Sequence, residues 1–280
     1  MKQGHTDLAL EAVENFRLGT PPEGVSVAEF TDRGFTVTEV RVTDRRGAEA
    51  LGKPEGRYVT VGLSPCLHRE ADFFPRAAAC IAARLRALLP PIEGGQAVLV
   101  AGLGNRAMTA DAVGPLTLES VLVTRHMVCA GPECFGAFTP VAAVASGVMA
   151  DTGMEALELL HGAVQAVRPA AVIAVDALAA RSRHRLCATV QLGDTGLIPG
   201  SGVGNHRHAL NRETLGVPVI AAGVPTVIAA LPDGGGDEPL FLTPRDIDSR
   251  VRELGRLLGY GITLALQPSL TVEDITGLLG

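Results

Sequence analysis

The chain has 280 residues, a formal net charge of −6, 47% hydrophobic residues, 4% aromatic residues and no tryptophan. The acidic balance disfavours direct binding to nucleic acid, because phosphate backbones are recognised by basic surfaces. Its five cysteines form no CxxC pair, no leader opens the chain and no apolar run is long enough to cross a bilayer, so we expect a cytoplasmic protein without membrane contact.

The first thirty or so residues are acidic and rich in turn formers, which predicts a loosely attached opening. Two β-rich stretches follow at residues 35–43 and 58–63, and we interpret residues 35–63 as a small β-rich addition to the main fold. An alanine-rich stretch from about residue 70 to residue 89 predicts a helix that ends before Pro90 and Pro91.

From residue 97 onward, strand and helix patterns alternate. The apolar run 97–103 predicts a strand, and Pro115 at the first helical position predicts a helix that starts at Gly114. Later segments repeat this pattern: a strand at 141–145, a helix with Leu157, Leu160, Val164 and Val167 on one face, strands at 171–175, 189–192 and 217–222, and a C-terminal helical segment within 239–280 that starts at Thr243 and Pro244. This alternation predicts an α/β fold with a largely parallel sheet.

Two aspartates occupy the positions where such folds place their sites, beyond the carboxyl ends of strands. Asp176 follows the apolar run 171–175, and Asp111 follows strand 97–103 by one loop. Two carboxylates at one crevice can divide the roles of general acid and general base, which hydrolysis of a peptide bond requires. Each also has a structural alternative, as a helix cap for Asp111 and as a carboxylate bonded to backbone amides for Asp176.

Other short motifs are weaker signals. The turn at Gly102 and Gly104 lacks the third glycine of a dinucleotide-binding loop, with Ala107 in its place. The glycine-rich loop 199–205 fits a tight turn better than an anion cradle. His206 and His208 have the spacing of a strand-borne metal pair without further ligands nearby, so we predict no metal site.

Several blocks form a recognisable series along the chain: Gly102-Leu103-Gly104-Asn105, Thr109-Ala110-Asp111-Ala112-Val113-Gly114-Pro115-Leu116, Leu122-Val123-Thr124-Arg125-His126, Gly147-Val148-Met149, Val172-Ile173-Ala174-Val175-Asp176-Ala177-Leu178-Ala179, Pro199-Gly200-Ser201-Gly202-Val203-Gly204-Asn205 and Gly223-Val224-Pro225-Thr226-Val227. In this order, from about residue 6 to residue 230, they resemble the germination protease family. That family is similar in fold to hydrogenase-maturation proteases. The resemblance therefore implies a three-layer α/β/α sandwich with a mostly parallel sheet, of the phosphorylase/hydrolase-like type, which agrees with the predicted parallel sheet.

The resemblance implies an atypical aspartic endopeptidase that degrades small acid-soluble spore proteins during germination, with Asp111 and Asp176 as the catalytic pair and no cofactor. It implies a homotetramer in the spore core and a self-cleaving precursor. The matching processing site is Asp7-Leu8, which makes residues 1–7 a propeptide and residues 8–280 a single peptidase domain. Candidate substrate-contacting loop residues within the matched blocks are Gly104, Asn105, His126, Gly202 and Asn205.

The chain departs from the family pattern at three positions. Ala110 and Ser146 replace prolines, and Ala229 replaces an aspartate. These departures leave open a non-catalytic relative that binds spore proteins or a regulatory partner. The resemblance in fold to maturation proteases, which bind a metal, leaves open a metal-assisted peptidase in which His126 or His206 assists Asp111.

Overall fold

The computed structural model describes residues 6–16, 21–201, 207–230 and 240–279. The helices in these ranges are α1 (Ala9–Glu14), α2 (Arg45–Leu51), α3 (Ser64–Leu67), α4 (Phe73–Leu88), α5 (Val113–Leu118), α6 (Arg125–Ala130), α7 (Pro132–Phe135), α8 (Met149–Thr152), α9 (Ala156–Val167), α10 (Arg212–Leu215), α11 (Ile247–Leu266) and α12 (Val272–Leu279). The strands are β1 (Val25–Asp32), β2 (Phe35–Val42), β3 (Gly56–Gly62), β4 (Val98–Leu103), β5 (Val141–Gly147), β6 (Ala171–Ala180), β7 (Thr189–Gly193), β8 (Val219–Ala230) and β9 (Leu240–Leu242).

These strands form one mixed sheet in the order β1-β2-β3-β7-β8-β6-β4-β5, with β9 added to β8. The pairs β8-β6, β6-β4 and β4-β5 are parallel, and the remaining pairs are antiparallel. The α/β class is thus confirmed. The predicted parallel arrangement describes the centre of the sheet, whereas the β-rich addition continues the same sheet as an antiparallel flank.

The sheet centre is covered on both faces, which gives three layers. On β4, Val98 and Val100 pack in one apolar cluster with α4, α5 and α11, while Leu99 and Ala101 pack in a second cluster with α9. Successive side chains of a strand point to opposite faces, so a strand buried on both faces needs apolar residues at every position. This requirement explains the unbroken apolar run of β4.

The N-terminal segment is firmly packed, so the prediction of a loosely attached opening was wrong for residues 8–14. Leu8, Ala9 and Glu11 are fully buried, and Ala9 and Ala12 belong to a third apolar cluster with β2 and α2. Helix α1 has six residues, too few for an isolated helix to be stable in water. Its stability therefore comes from this packing, which the sequence pattern alone does not reveal.

Several boundaries differ from those expected. An additional strand, β1, precedes the predicted stretch 35–43, which corresponds to β2, and β6 continues past Asp176 to Ala180. Helix α5 begins at Val113, one residue early, and α11 begins at Ile247 and is followed by α12. No helix in the part of the chain that the structure describes is both long and apolar enough to cross a bilayer.

Candidate active site

Asp176 lies inside β6, at the point where this strand loses one neighbour. The last pairing of β6 with β4 joins Val175 to Gly102, while the pairing with β8 continues through Asp176 and Gly223. The Asp176 side chain is buried, with 5% of the residue exposed, and its Oδ1 accepts a 2.9 Å hydrogen bond from the Ala177 backbone amide. The carboxylate therefore lies at the carboxyl end of β4, where parallel sheets open into a crevice.

Asp111 ends a single 3-10 turn, Thr109–Asp111, between β4 and α5. Its Oδ2 accepts a 2.7 Å hydrogen bond from the Asn105 backbone amide, in the turn that follows β4. The residue preceding α5 is Ala112, and no side chain caps this helix. The helix-cap alternative for Asp111 is thus wrong, because its carboxylate binds the preceding turn instead.

Two glycines allow this close arrangement. Gly104 has φ +100°, and a Cβ there would lie 2.1 Å from the Asp111 backbone oxygen. A Cβ at Gly114 would lie 2.3 Å from the Leu103 oxygen and 2.6 Å from the Val175 oxygen. The backbone of α5 can therefore pass directly over the ends of β4 and β6, which brings Asp111 towards Asp176.

Both aspartates line one cleft of about 530 Å³, which we call the aspartate cleft. Much of its wall is apolar, and the larger apolar side chains include those of Met108, Val148, Leu178, Val227 and Phe241. A mostly apolar cleft with a few convergent polar groups is the usual form of a ligand site.

The two carboxyl groups differ in their electrostatic environment. Burial raises the pKa of Asp176 to about 8, and repulsion from the Asp111 and Asp7 charges acts in the same direction, against weaker opposing bonds from the Ala177 and Gly200 amides. Burial also raises the pKa of Asp111, but the Asn105 amide and the Arg207 charge oppose that change. At neutral pH Asp176 therefore holds a proton more readily than Asp111 does.

Asp7 also lines the aspartate cleft. Its backbone amide donates to the Ala179 oxygen at 3.0 Å, and its Oδ2 accepts from the Ala179 amide at 2.8 Å. Farther along the segment, Glu11 accepts from the amides of Arg181 and Ser182 at 2.7 and 2.8 Å. Three alternate residues, along β6 and just beyond it, thus donate backbone hydrogen bonds to carboxylates: Ala177 to Asp176, Ala179 to Asp7 and Arg181 to Glu11.

The other residues expected at the site are distributed differently. Gly104 and Asn105 line the aspartate cleft, as do Ala110 and Ser146, two of the departures from the family pattern. His126 is exposed on α6 and does not line the cleft. Gly202, Asn205 and His206 lie outside the described residues, as does the side chain of Ala229.

Four residues that sequence reasoning missed contact the site. Thr226 lines the aspartate cleft and donates from Oγ1 to the Ala110 oxygen at 2.6 Å. Lys53 and Gln191 bind the main chain of Asp7, and Arg207 adds a positive charge near Asp111. Thr226 lies in one of the blocks that resemble the family, so the sequence offered a signal for it. Arg207 lies between His206 and His208, whose spacing indicated only a possible metal pair, and Lys53 and Gln191 have unremarkable sequence neighbours. Among the side chains described, no group of three or more His, Cys, Asp and Glu residues is arranged to hold a metal ion.

Comparison with known proteins places these features in a family. The model of the germination protease family matches residues 10–233. A germination protease of Caldanaerobacter subterraneus subsp. tengcongensis is 37% identical over 98% of this chain and 97% of its own length. Germination proteases of Clostridium perfringens and a Geobacillus species are 35% and 40% identical, over 98% and 96% of this chain and 98% and 76% of their own lengths.

Among solved structures, a [NiFe] hydrogenase maturation protease HycI from Thermococcus kodakarensis aligns with a TM-score of 0.39 and 20% identity, over 64% of this chain and 98% of its own. At that TM-score the alignment does not define the fold of this chain. The match over residues 10–233 includes both aspartates and the strands that carry them. This chain belongs to the germination protease family.

Proposed function

We propose that the chain is an endopeptidase of the atypical aspartic type, in which Asp111 and Asp176 activate a water molecule. The observation that carries this proposal is the difference between the two carboxyl groups that line one cleft. Asp176 is buried and its pKa is raised to about 8, whereas Asp111 is anchored by the Asn105 amide and is easier to ionise. Such a pair supplies one acid and one base at neutral pH.

The roles follow from the protonation states. Ionised Asp111 removes a proton from water as the oxygen attacks the peptide carbonyl carbon, and protonated Asp176 donates its proton to the substrate. When the C–N bond breaks, Asp111 passes the proton taken from water to the departing nitrogen, and a hydroxyl of the tetrahedral intermediate returns a proton to Asp176. The new carboxyl group stays on the other fragment. No covalent enzyme intermediate and no cofactor enter this scheme.

Small acid-soluble spore proteins are the proposed substrates, and the spore core is the proposed location. The support is membership of the germination protease family. We also propose that the chain cleaves itself at Asp7-Leu8, which makes residues 1–7 a propeptide and residues 8–280 the peptidase domain. Asp7 lines the aspartate cleft together with both catalytic candidates, so the segment that carries this bond lies beside the proposed machinery.

A homotetramer is proposed on the same family relationship. Two outer strands of the sheet carry exposed apolar side chains that suit contacts between subunits. Val27 and Phe30 lie on β1, and Leu240 and Leu242 lie on β9. Light scattering on the purified chain measures the assembly directly.

The test of the mechanism compares Asp111→Asn and Asp176→Asn with a matched control, Asp194→Asn. Asp194 follows β7 and its Oδ1 accepts from the Arg57 amide at 2.7 Å, so it is an anchored carboxylate that does not line the cleft. We expect both cleft variants to fold and to lose nearly all cleavage of a small acid-soluble spore protein and of Asp7-Leu8, read by intact mass. The control is expected to cleave normally, and normal turnover by either cleft variant would contradict the proposal.

The same assay separates the two alternatives. Dialysis against a chelator is expected to leave activity unchanged, and activity that is lost and then restored by one divalent ion would establish a metal-assisted peptidase. A substrate that stays intact at every pH from mildly acidic to neutral, with and without added metals, would establish a non-catalytic relative.

A further inference from the structure

Glu11 is fully buried on α1, and its carboxylate accepts hydrogen bonds from three groups. Oε1 accepts from the Ser182 amide at 2.8 Å, while Oε2 accepts from the Arg181 amide at 2.7 Å and from the Thr6 hydroxyl at 2.5 Å. Arg181 and Ser182 directly follow β6, so Glu11 binds α1 to the end of that strand. Thr6 belongs to the segment, residues 1–7, that the proposed self-cleavage removes.

The Thr6 hydroxyl connects Glu11 to the backbone nitrogen of Leu8. Its Oγ1 accepts the Leu8 amide at 3.1 Å and at the same time donates to Glu11 Oε2. One bridging oxygen atom thus separates the Leu8 nitrogen from the carboxylate. This nitrogen is the atom that becomes an amino group when the Asp7-Leu8 bond is cut.

The positions of Leu8 and Glu11 on α1 also favour direct contact. Leu8 is the residue that precedes the helix, and Glu11 is the third residue within it. A glutamate at that third position can reach back to the backbone nitrogen of the residue before the helix, as it does in a capping box. A positive charge on this nitrogen would oppose the helix dipole, and an acidic side chain in the first turn offsets that cost.

Self-cleavage changes the charges around the Leu8 nitrogen. Lys53 donates from Nζ to the carbonyl oxygens of Thr6 and Asp7 at 3.1 and 3.0 Å, and the Asp7 charge opposes the lowering of the Lys53 pKa by burial. Removal of residues 1–7 takes these partners away and leaves Lys53 near the new amino group. A buried ammonium group is costly without an acidic partner. Glu11 loses the Thr6 hydroxyl in the same step, so its Oε2 can accept another donor.

We propose that the α-amino group released at Leu8 binds the Glu11 carboxylate in place of the Thr6 hydroxyl. This inference rests on the proposed self-cleavage at Asp7-Leu8. The ligand is a primary ammonium group of the chain itself, and the ion pair keeps α1 attached to the end of β6 after residues 1–7 have left. Since β6 also carries Asp176, the new N-terminus is fixed to the strand of the proposed catalytic acid.

The test measures the pKa of the Leu8 amino group in the processed chain, residues 8–280. A chain joined at Leu8 to a removable carrier protein yields the same molecule through an added protease, so the test does not depend on self-cleavage. Competitive acetylation at several pH values gives a rate profile whose midpoint is this pKa. Because a nearby carboxylate favours the ammonium form, we expect the midpoint to lie lower in Glu11→Gln than in the parent, by about one pH unit or more.

Glu14→Gln is the matched control. Glu14 lies on the same helix, and its Oε1 accepts from the Arg185 side chain at 2.6 Å, so it too connects α1 to the segment after β6. Its replacement should leave the midpoint unchanged, whereas Lys53→Met should raise it because a nearby cation is removed. A midpoint that is the same in the parent and in Glu11→Gln would overturn the ion pair. A parent chain that never trims itself would contradict the proposed self-cleavage and leave this comparison intact.

A second measurement needs no change at Glu11. It compares the processed and full chains when both carry Asp176→Asn and Lys53→Met, so that neither cleaves itself and neither group titrates. Arg181, whose side chain also contacts α1, stays protonated. The ion pair raises the pKa of the Leu8 amino group in the folded chain, so its stabilisation is complete below the ordinary pKa and is lost as the pH rises through the raised value.

The urea midpoint of the processed chain should therefore fall more steeply than that of the full chain between about pH 8 and pH 10. Two parallel curves would overturn the ion pair, whether or not Glu11→Gln folds.

Discussion

The Thr226 hydroxyl donates a 2.6 Å hydrogen bond to the carbonyl oxygen of Ala110, the residue that precedes Asp111. Thr226 is fully buried on β8, while Ala110 belongs to the 3-10 turn between β4 and α5. This bond ties the turn that carries Asp111 to a strand that pairs directly with the strand of Asp176. The relative position of the two carboxyl groups therefore depends on it.

Replacement of Thr226 by Val keeps the shape of the side chain and removes the hydroxyl. The Ala110 oxygen then loses its partner in a buried place, so we expect the free energy of unfolding to fall by about 1–3 kcal/mol. We also expect a lower kcat, because Asp111 is no longer held in register with Asp176. Denaturant unfolding and peptide cleavage measure the two effects, and Thr226→Ser, which retains the hydroxyl, should largely preserve both.

The pH dependence of stability follows from Asp176. Its pKa is about 8 in the folded chain and is near its ordinary value of 3.8 in the unfolded chain. Between these values the folded chain holds a proton that the unfolded chain has released, so this group's contribution to stability falls as the pH rises from about 4 to about 8. The Asp176→Asn variant has no carboxyl group there, so its stability does not fall in this way as the pH rises. We expect its free energy of unfolding to exceed that of the parent by a few kcal/mol at pH 8.

That difference should shrink towards pH 4, where Asp176 is neutral in both states. Urea unfolding of the two proteins at several pH values measures it. Asp194→Asn serves as the control for replacing an anchored carboxylate that does not line the cleft. Equal dependence on pH in the parent and in Asp176→Asn would mean that Asp176 does not hold a proton at neutral pH.

Catalytic activity should respond to the same ionisations. If Asp176 is the acid and Asp111 the base, kcat/KM is expected to fall above a pH of about 8, where the pair loses its last proton. It should fall again on the acid side as Asp111 becomes protonated. Because the two carboxyl groups interact, the apparent pKa values on the acid and alkaline sides of this pH profile belong to the pair rather than to single residues. A rate that keeps rising beyond pH 9 would contradict the assignment.

The close approach at Gly104 can be tested against a second glycine. Gly104 and Gly153 both have positive φ, +100° and +71°, but only at Gly104 would a Cβ meet the backbone of Asp111. A change to Ala costs about 1–2 kcal/mol at either position because of the left-handed backbone. We expect Gly104→Ala to lower the free energy of unfolding by about 1–3 kcal/mol more and to abolish cleavage. Gly153→Ala, with no atom within 4 Å of its Cβ, should remain active.

The part of the fold that sequence patterns predicted best is the buried βαβ core. In β4 and on the inner face of α9, nearly every position facing the core must be apolar, so spacing and residue type are both constrained. The strand β1 was missed because its residues are largely exposed and it is held mainly by pairing with β2. Likewise, the small residues after Asp176 gave no indication that β6 continues.

For the site, strand-end reasoning located Asp111 and Asp176 because buried strands constrain where polar residues can follow. It did not predict that Asp7 lies beside them, nor that Lys53 and Gln191 hold its carbonyl oxygen. In the sequence, Lys53 lies 46 positions from Asp7, and Gln191 lies 184 positions from it. Nothing in the local sequence around Lys53 or Gln191 distinguishes them from ordinary turn and strand residues, so only the tertiary structure reveals their role.

The order in which the sheet is assembled has a consequence for the timing of activity. The strand β8 lies late in the chain, yet it supplies Thr226 and pairs with β6. Helix α11 lies later still and covers one face of β4 and β6. During synthesis from the N-terminus, Asp111 and Asp176 leave the ribosome well before these partners do. Until β8 and α11 have emerged, the proposed catalytic pair is incomplete, so a nascent chain of that length is expected to leave the proteins around it uncut.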